Sequence, residues 1–172
     1  MNKIFLKAVV AGFIAFAWGN ISWMALPFHG NSMKDFSQPK QVAEVLQANT
    51  PDSGIYVIKD CEQSGAAAED RIEKPFVFVA ITKEGLPFSP KQIILYLTTQ
   101  IIAALIIVHL LQNYSGTYFQ KVLFVTGTAF AGLWLSTISG HIWWNLPLDY
   151  TLLDLADGLI AWFLAGLFLA RD

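Results

Sequence analysis

Apolar residues along this chain collect in four long blocks, Ile4–Leu26, Ile93–Leu111, Val122–Ile138 and Thr151–Ala170, and one polar stretch of domain size interrupts them. Each block is long enough to cross the ~30 Å hydrocarbon core of a bilayer as a helix. Backbone in hydrocarbon has no water to bond, so a single spanning segment satisfies itself only by coiling into a helix. The pattern predicts a membrane all-α fold, a four-transmembrane-helix bundle with a small α+β extracytoplasmic insertion between helices 1 and 2. The expected division is residues 1–26 for the first transmembrane helix, 27–91 for a periplasmic insertion and 92–172 for helices 2–4.

Inside the insertion, Phe28-His29-Gly30-Asn31 reads as a loop. Ser37 is a suitable N-cap for a helix with Pro39 in its first turn. Val42, Val45 and Leu46 then share one face, and Asn49-Thr50-Pro51-Asp52 ends the helix. Gly54–Lys59 and Phe76–Thr82 are rich in β-branched and aromatic residues and predict two strands. The charged segment Cys61–Lys74 between them is expected to be a mobile loop. A two-stranded pair is marginal by itself in water, so the insertion is expected to rest on the outer helix ends or on a partner. Ser89-Pro90-Lys91-Gln92 has the form of a capping box at the start of the second span.

Small residues recur at spacing four in the apolar blocks. Ala11, Ala15 and Gly19, with Ala8 and Gly12 beside them, form a ladder on the first span, and Gly127 and Ala131 form another on the third. Such ladders let helix backbones approach closely, so both are candidate packing seams.

Charge decides the orientation. Lys3, Lys7, Lys121 and Arg171 flank the blocks on one side, while the short segment His141–Tyr150 on the other side carries no Lys or Arg. The positive-inside rule then puts both termini in the cytoplasm and the insertion outside. Trp23, Phe28, Trp143, Trp144 and Tyr150 would mark the outer interface, and Tyr114, Tyr118 and Phe119 the inner one. The Ala15-Phe16-Ala17 triplet resembles a signal-peptide cleavage site, but the apolar run continues to Leu26, which favours an uncleaved anchor.

Composition agrees with a membrane class. Of 172 residues, 55% are hydrophobic and only 14% charged, with a net charge of −2. No basic stripe is present, so nucleic acid is not an expected partner. No polybasic cluster suggests binding to anionic lipid head groups either. Cys61 is the sole cysteine and excludes an internal disulfide. Phosphate-binding loops, metalloprotease and nucleophile-elbow motifs are all missing, so no cofactor is expected.

One group of residues has chemical potential. His29 follows the first block, His141 the third, and Asp154 and Asp157 open the fourth at a spacing that puts both carboxylates on one helix face. Together they are candidate catalytic residues, as acid and base, or candidate ligands for a divalent metal. The plain alternatives are interfacial histidines and, for Asp154, compensation of a helix N-terminus. Asp157 lies deeper and needs a partner or water.

Four stretches, Ser22–His29, Ser53–Tyr56, Pro75–Ala80 and Asp157–Phe163, resemble a group of small uncharacterised bacterial inner-membrane proteins with four transmembrane helices and one periplasmic insertion. The resemblance implies architecture and location, and it carries no catalytic motif. The expected function is a non-enzymatic accessory or interaction subunit. Its partners would be the lipid bilayer and another membrane or periplasmic protein. The alternatives are an outer-leaflet enzyme built on the His/Asp group, and a small ion- or proton-coupled carrier using Asp157, Thr98 and Gln100.

Overall fold

The protein, seen here as a computed structural model, is described for residues 3–58, 76–85 and 89–171. It divides into two compact units, Met1–Lys34 with Ser89–Asp172, and Asp35–Phe88. The eight residues from Pro27 to Lys34 thus belong with the long helices. The segment expected as a mobile loop, Cys61–Lys74, lies outside the described residues.

The first unit contains α1 (Lys3–Ala25), the one-turn helix α2 (Phe28–Ser32), α4 (Pro90–Gln112), α5 (Tyr118–Trp144) and α6 (Leu148–Leu169), while α3 (Pro39–Asn49) belongs to the second unit. The four long helices have 23, 23, 27 and 22 residues and are long and apolar enough to cross a membrane. At 1.5 Å per residue they extend roughly 33–40 Å. Their termini carry local stop and start signals. Gln92 Oε1 accepts from the Ser89 backbone N–H at 3.0 Å, and Gln120 Oε1 does the same for Thr117 at 2.8 Å. Asn145, in the left-handed conformation at φ 51°, closes α5. Thr98 and Thr99 return their hydroxyls to the carbonyls of Ile94 and Tyr96, so these polar residues of α4 are satisfied within their own helix.

The segment read as a loop after α1 is a helical turn instead. Pro27 interrupts α1 at Ala25, and the Asn31 amide reaches back to the Pro27 carbonyl at 3.0 Å to start a new turn. α6 begins at Leu148, one turn before the expected Thr151. Asp149 therefore occupies the first turn, and Asp154 is too far along the helix to compensate its N-terminus.

α1 packs against α4 and α6, and α6 packs against α5. The interior is made of small residues and a few large ones: Ala8, Ala11, Ala104, Ile107, Val108, Val125, Trp162, Ala165 and Leu169. Gly12 is required by this packing, because an added Cβ would stand 2.8 Å from the Ile101 main chain. Many large apolar side chains point away from the interior. Leu135, Ile94 and Phe13 are 71%, 63% and 56% exposed. Apolar surface this continuous is cover for another apolar phase, and it is why these helices suggest a membrane protein.

In the second unit, β1 (Gly54–Ile58) and β2 (Val77–Ile81) pair antiparallel, with Tyr56 opposite Val79. Gln38 occupies the N-cap position of α3, one residue after the expected Ser37, without a side-chain capping bond, and Pro39 takes the N1 position. No residue of α3 is buried. Val45 and Leu46 face a groove of about 390 Å³ shared with Tyr56, Val57 and Val79 of the sheet.

Candidate functional site

Three helices bring polar groups together near the C-terminal end of α1. Trp18 and Ser22 are one turn apart on α1 and so share a face. The Pro27 break and the single turn of α2 fold His29 back beside them. Asp157 enters from α6, three residues after Asp154.

The Trp18 indole N–H donates to Asp157 Oδ1 at 2.7 Å. The second carboxylate oxygen stands 3.6 Å from His29 Nε2, within ion-pair range but longer than a good hydrogen bond. Ser22 Oγ lies 3.2 Å from the same nitrogen. The Trp23 ring covers the imidazole, with centroids 3.9 Å apart and planes 10° from parallel. His29 is 2% exposed and Ser22 equally buried. Among the described residues, no buried side-chain polar atom lacks a hydrogen-bond partner. Asp154 is half-buried one turn away, within electrostatic reach of Asp157 and His29.

This geometry limits the chemistry. A Ser–His–Asp relay needs serine and carboxylate on opposite ring nitrogens, so that one supports the proton the other accepts. Here both converge on Nε2, and Ser22 is not activated as a nucleophile. The recess beside the cluster, bordered by Trp18, Phe28 and Asp157, holds about 220 Å³. Small-molecule sites usually need about 300 Å³ or more. The arrangement is well suited to fastening. Asp157 receives one strong donor and faces one imidazole, which ties α6 to α1 and α2.

The four sequence candidates separate. His29 and Asp157 meet, and Asp154 is near them. His141 does not take part: its Nδ1 lies 2.7 Å from the Leu146 carbonyl, where it closes the turn between α5 and α6. Among the described residues, no group of three or more His, Cys, Asp or Glu could hold a metal ion. The expected packing residues also separate. Ala11, Ala15 and Gly19 are buried, whereas Gly127 and Ala131 are exposed.

Trp18 and Trp23 were readable only as anchors or packing residues, and Ser22 only as a general cross-helix donor. A signal for Trp18 did exist. A buried indole seeks an acceptor, and a carboxylate inside an apolar helix seeks a donor. Tyr96 carried no such signal; its hydroxyl packs against Gly19, where an added Cβ would approach it to 2.7 Å.

No family model, no curated protein and no solved structure matches this chain.

Proposed function

We propose that this chain is a non-enzymatic integral protein of the bacterial inner membrane, an accessory or interaction subunit whose second unit, residues 35–88, projects into the periplasm and whose termini are cytoplasmic. The apolar outer surfaces of four helices support membrane residence. The positive-inside asymmetry of Lys3, Lys7, Lys121 and Arg171 supports the orientation. The burial of His29 and Asp157 against each other and against Trp18 supports a structural role for the polar cluster over a catalytic one.

The observation that carries the docking role is the uncovered apolar side of the second unit. Val45 of α3 and Ile58 of β1, which both line the groove between helix and sheet, are 56% and 42% exposed, and the groove is open. A lone hairpin with an unburied helix beside it is marginal in water. An extended segment of a second membrane-anchored protein fits this surface. It would add a strand to a sheet edge and seat apolar side chains in the groove.

The test is purification in mild detergent at native expression level. The expected result is one stoichiometric partner, lost from the variant carrying Val45→Asp and Ile58→Asp while the helical unit still elutes as wild type. Recovery of wild-type chain alone, or retention of the partner by the variant, overturns the reading. An enzymatic role would reappear if Asp157→Asn abolished a cellular phenotype without lowering the amount or stability of the protein.

A further inference from the structure

At the end of the helical unit remote from the His29 cluster, the fold gathers charges that are far apart in sequence. Lys3 and Lys7 open α1, Lys121 lies in the first turn of α5, and Arg171 follows α6. All four border one groove of about 530 Å³. Its walls are apolar: Ile4, Leu111 and Leu169 line it, and Leu169 is part of the buried core. The described residues lining it include these four cations and no carboxylate. The Lys7 ammonium donates to the Arg171 main-chain carbonyl at 2.9 Å, which ties the start of α1 to the end of α6 and fixes one side of the groove.

We infer that this groove binds an anionic phospholipid, with its phosphate among Lys3, Lys7, Lys121 and Arg171 and an acyl chain along the apolar wall. The inference rests on the membrane reading proposed above. Orientation by the positive-inside rule needs only charges in loops and tails. It does not need them assembled around an apolar cavity. Basic recesses between helices at the cytoplasmic side suit the head groups of anionic lipids, because charge and apolar surface are both complementary there. This revises the expectation from the sequence, where no polybasic cluster is visible, since the four cations come from three helix ends and meet only in the fold.

The ligand chemistry can be tested directly. Purified wild-type protein in mild detergent is offered equimolar cardiolipin, phosphatidylglycerol and phosphatidylcholine, and bound lipid is read by native mass spectrometry. The anionic lipids are expected to be retained more than about tenfold over phosphatidylcholine. Each cation near a lipid surface contributes roughly a fivefold change in binding. Lys121→Gln with Arg171→Gln should therefore lower the preference by about 25-fold. Lys40→Gln with Lys83→Gln removes the same charge from the second unit and should leave it intact. Leu6→Trp, at an exposed groove residue, should lower retention without removing any charge. Asp172 follows Arg171 in sequence, so Asp172→Asn should not lower the preference.

Equal retention of all three lipids, or an unchanged preference in the Lys121/Arg171 variant, overturns the inference. So does displacement of bound lipid by millimolar glycerol phosphate, which would identify a soluble phosphate site. Membrane residence is scored separately, by whether the chain leaves the cell membrane fraction without detergent. A chain that requires detergent but shows no lipid preference sinks the groove and spares the membrane reading.

Discussion

At Gly12 on α1 an added Cβ would stand 2.8 Å from the main chain of Ile101, whereas at Gly127 on α5 it would meet nothing within 4 Å. Both glycines belong to small residues spaced four apart in long apolar helices. On α1 the small residues Ala8, Ala11, Gly12, Ala15 and Gly19 are all buried and let α4 approach closely. On α5 the buried face is set by Val122 and Val125, and Gly127 lies roughly 200° around the helix from Val125. Spacing four thus shows that two residues share a face. It does not show which face a neighbour covers. In an amphipathic soluble helix polarity settles that question, but α5 is apolar all round.

The comparison is broken most severely at Gly12. Gly12→Val should cost about 3 kcal/mol, since backbone rather than a flexible side chain stands in the way. It should lower the unfolding midpoint in detergent sharply or prevent accumulation of folded protein. A near-wild-type midpoint would mean that α1 and α4 are not in contact as described.

The second test asks whether α1 is held by polar fastening as well as by close approach. Asp157→Ala removes the acceptor of Trp18 and the carboxylate facing His29, and should cost about 2–3 kcal/mol. Asp157→Asn keeps an acceptor oxygen for the indole and should cost less than half as much. Equal losses for the two would assign the effect to charge and weaken the role given to the Trp18 bond. Thermal denaturation followed by tryptophan fluorescence reads both.

A smaller effect is expected at Gly19, where the obstacle is the Tyr96 hydroxyl. Gly19→Ala should cost about 1 kcal/mol, because a side-chain tip can shift where backbone cannot. Tyr96→Phe removes the obstructing oxygen, so the double variant should recover most of that loss. Strict additivity in this double-mutant cycle would show that the two residues do not touch.

The smallest effect belongs to Gly127. Gly127→Ala should be neutral or stabilise by up to about 1 kcal/mol through helix propensity. A marked loss of stability would reveal a contact on this face that the single chain does not contain, and would return the α5 ladder to the same category as that of α1.

Much of the helical unit was legible in the chain. The four apolar blocks match the four long helices within a few residues, apart from α5, which extends beyond its block at both ends. Ser89 and Gln92 announced the start of α4, and the two strands emerged where β-branched and aromatic residues cluster. These signals are local. The turn at Phe28–Ser32 was missed because a five-residue helix has no period to detect; Pro27 and the backbone of Asn31 create it. The polar site was half legible. His29 and Asp157 were singled out, yet His141, which looked equivalent in sequence, closes its own turn at Leu146.

What the amino-acid sequence determined by itself is the set of long elements: which segments are helical and apolar enough for a bilayer, and which residues can pair as strands. Each depends on neighbours within a few positions and on the solvent those residues prefer. Only the tertiary structure decided which small-residue ladder became a seam, which histidine met Asp157, and that Lys3, Lys7, Lys121 and Arg171 share one groove. Those outcomes depend on how each helix is rotated about its axis and which helix lies beside it. Uniformly apolar surfaces leave that rotation unmarked in the chain, and only the interlocking of side chains across helices selects it.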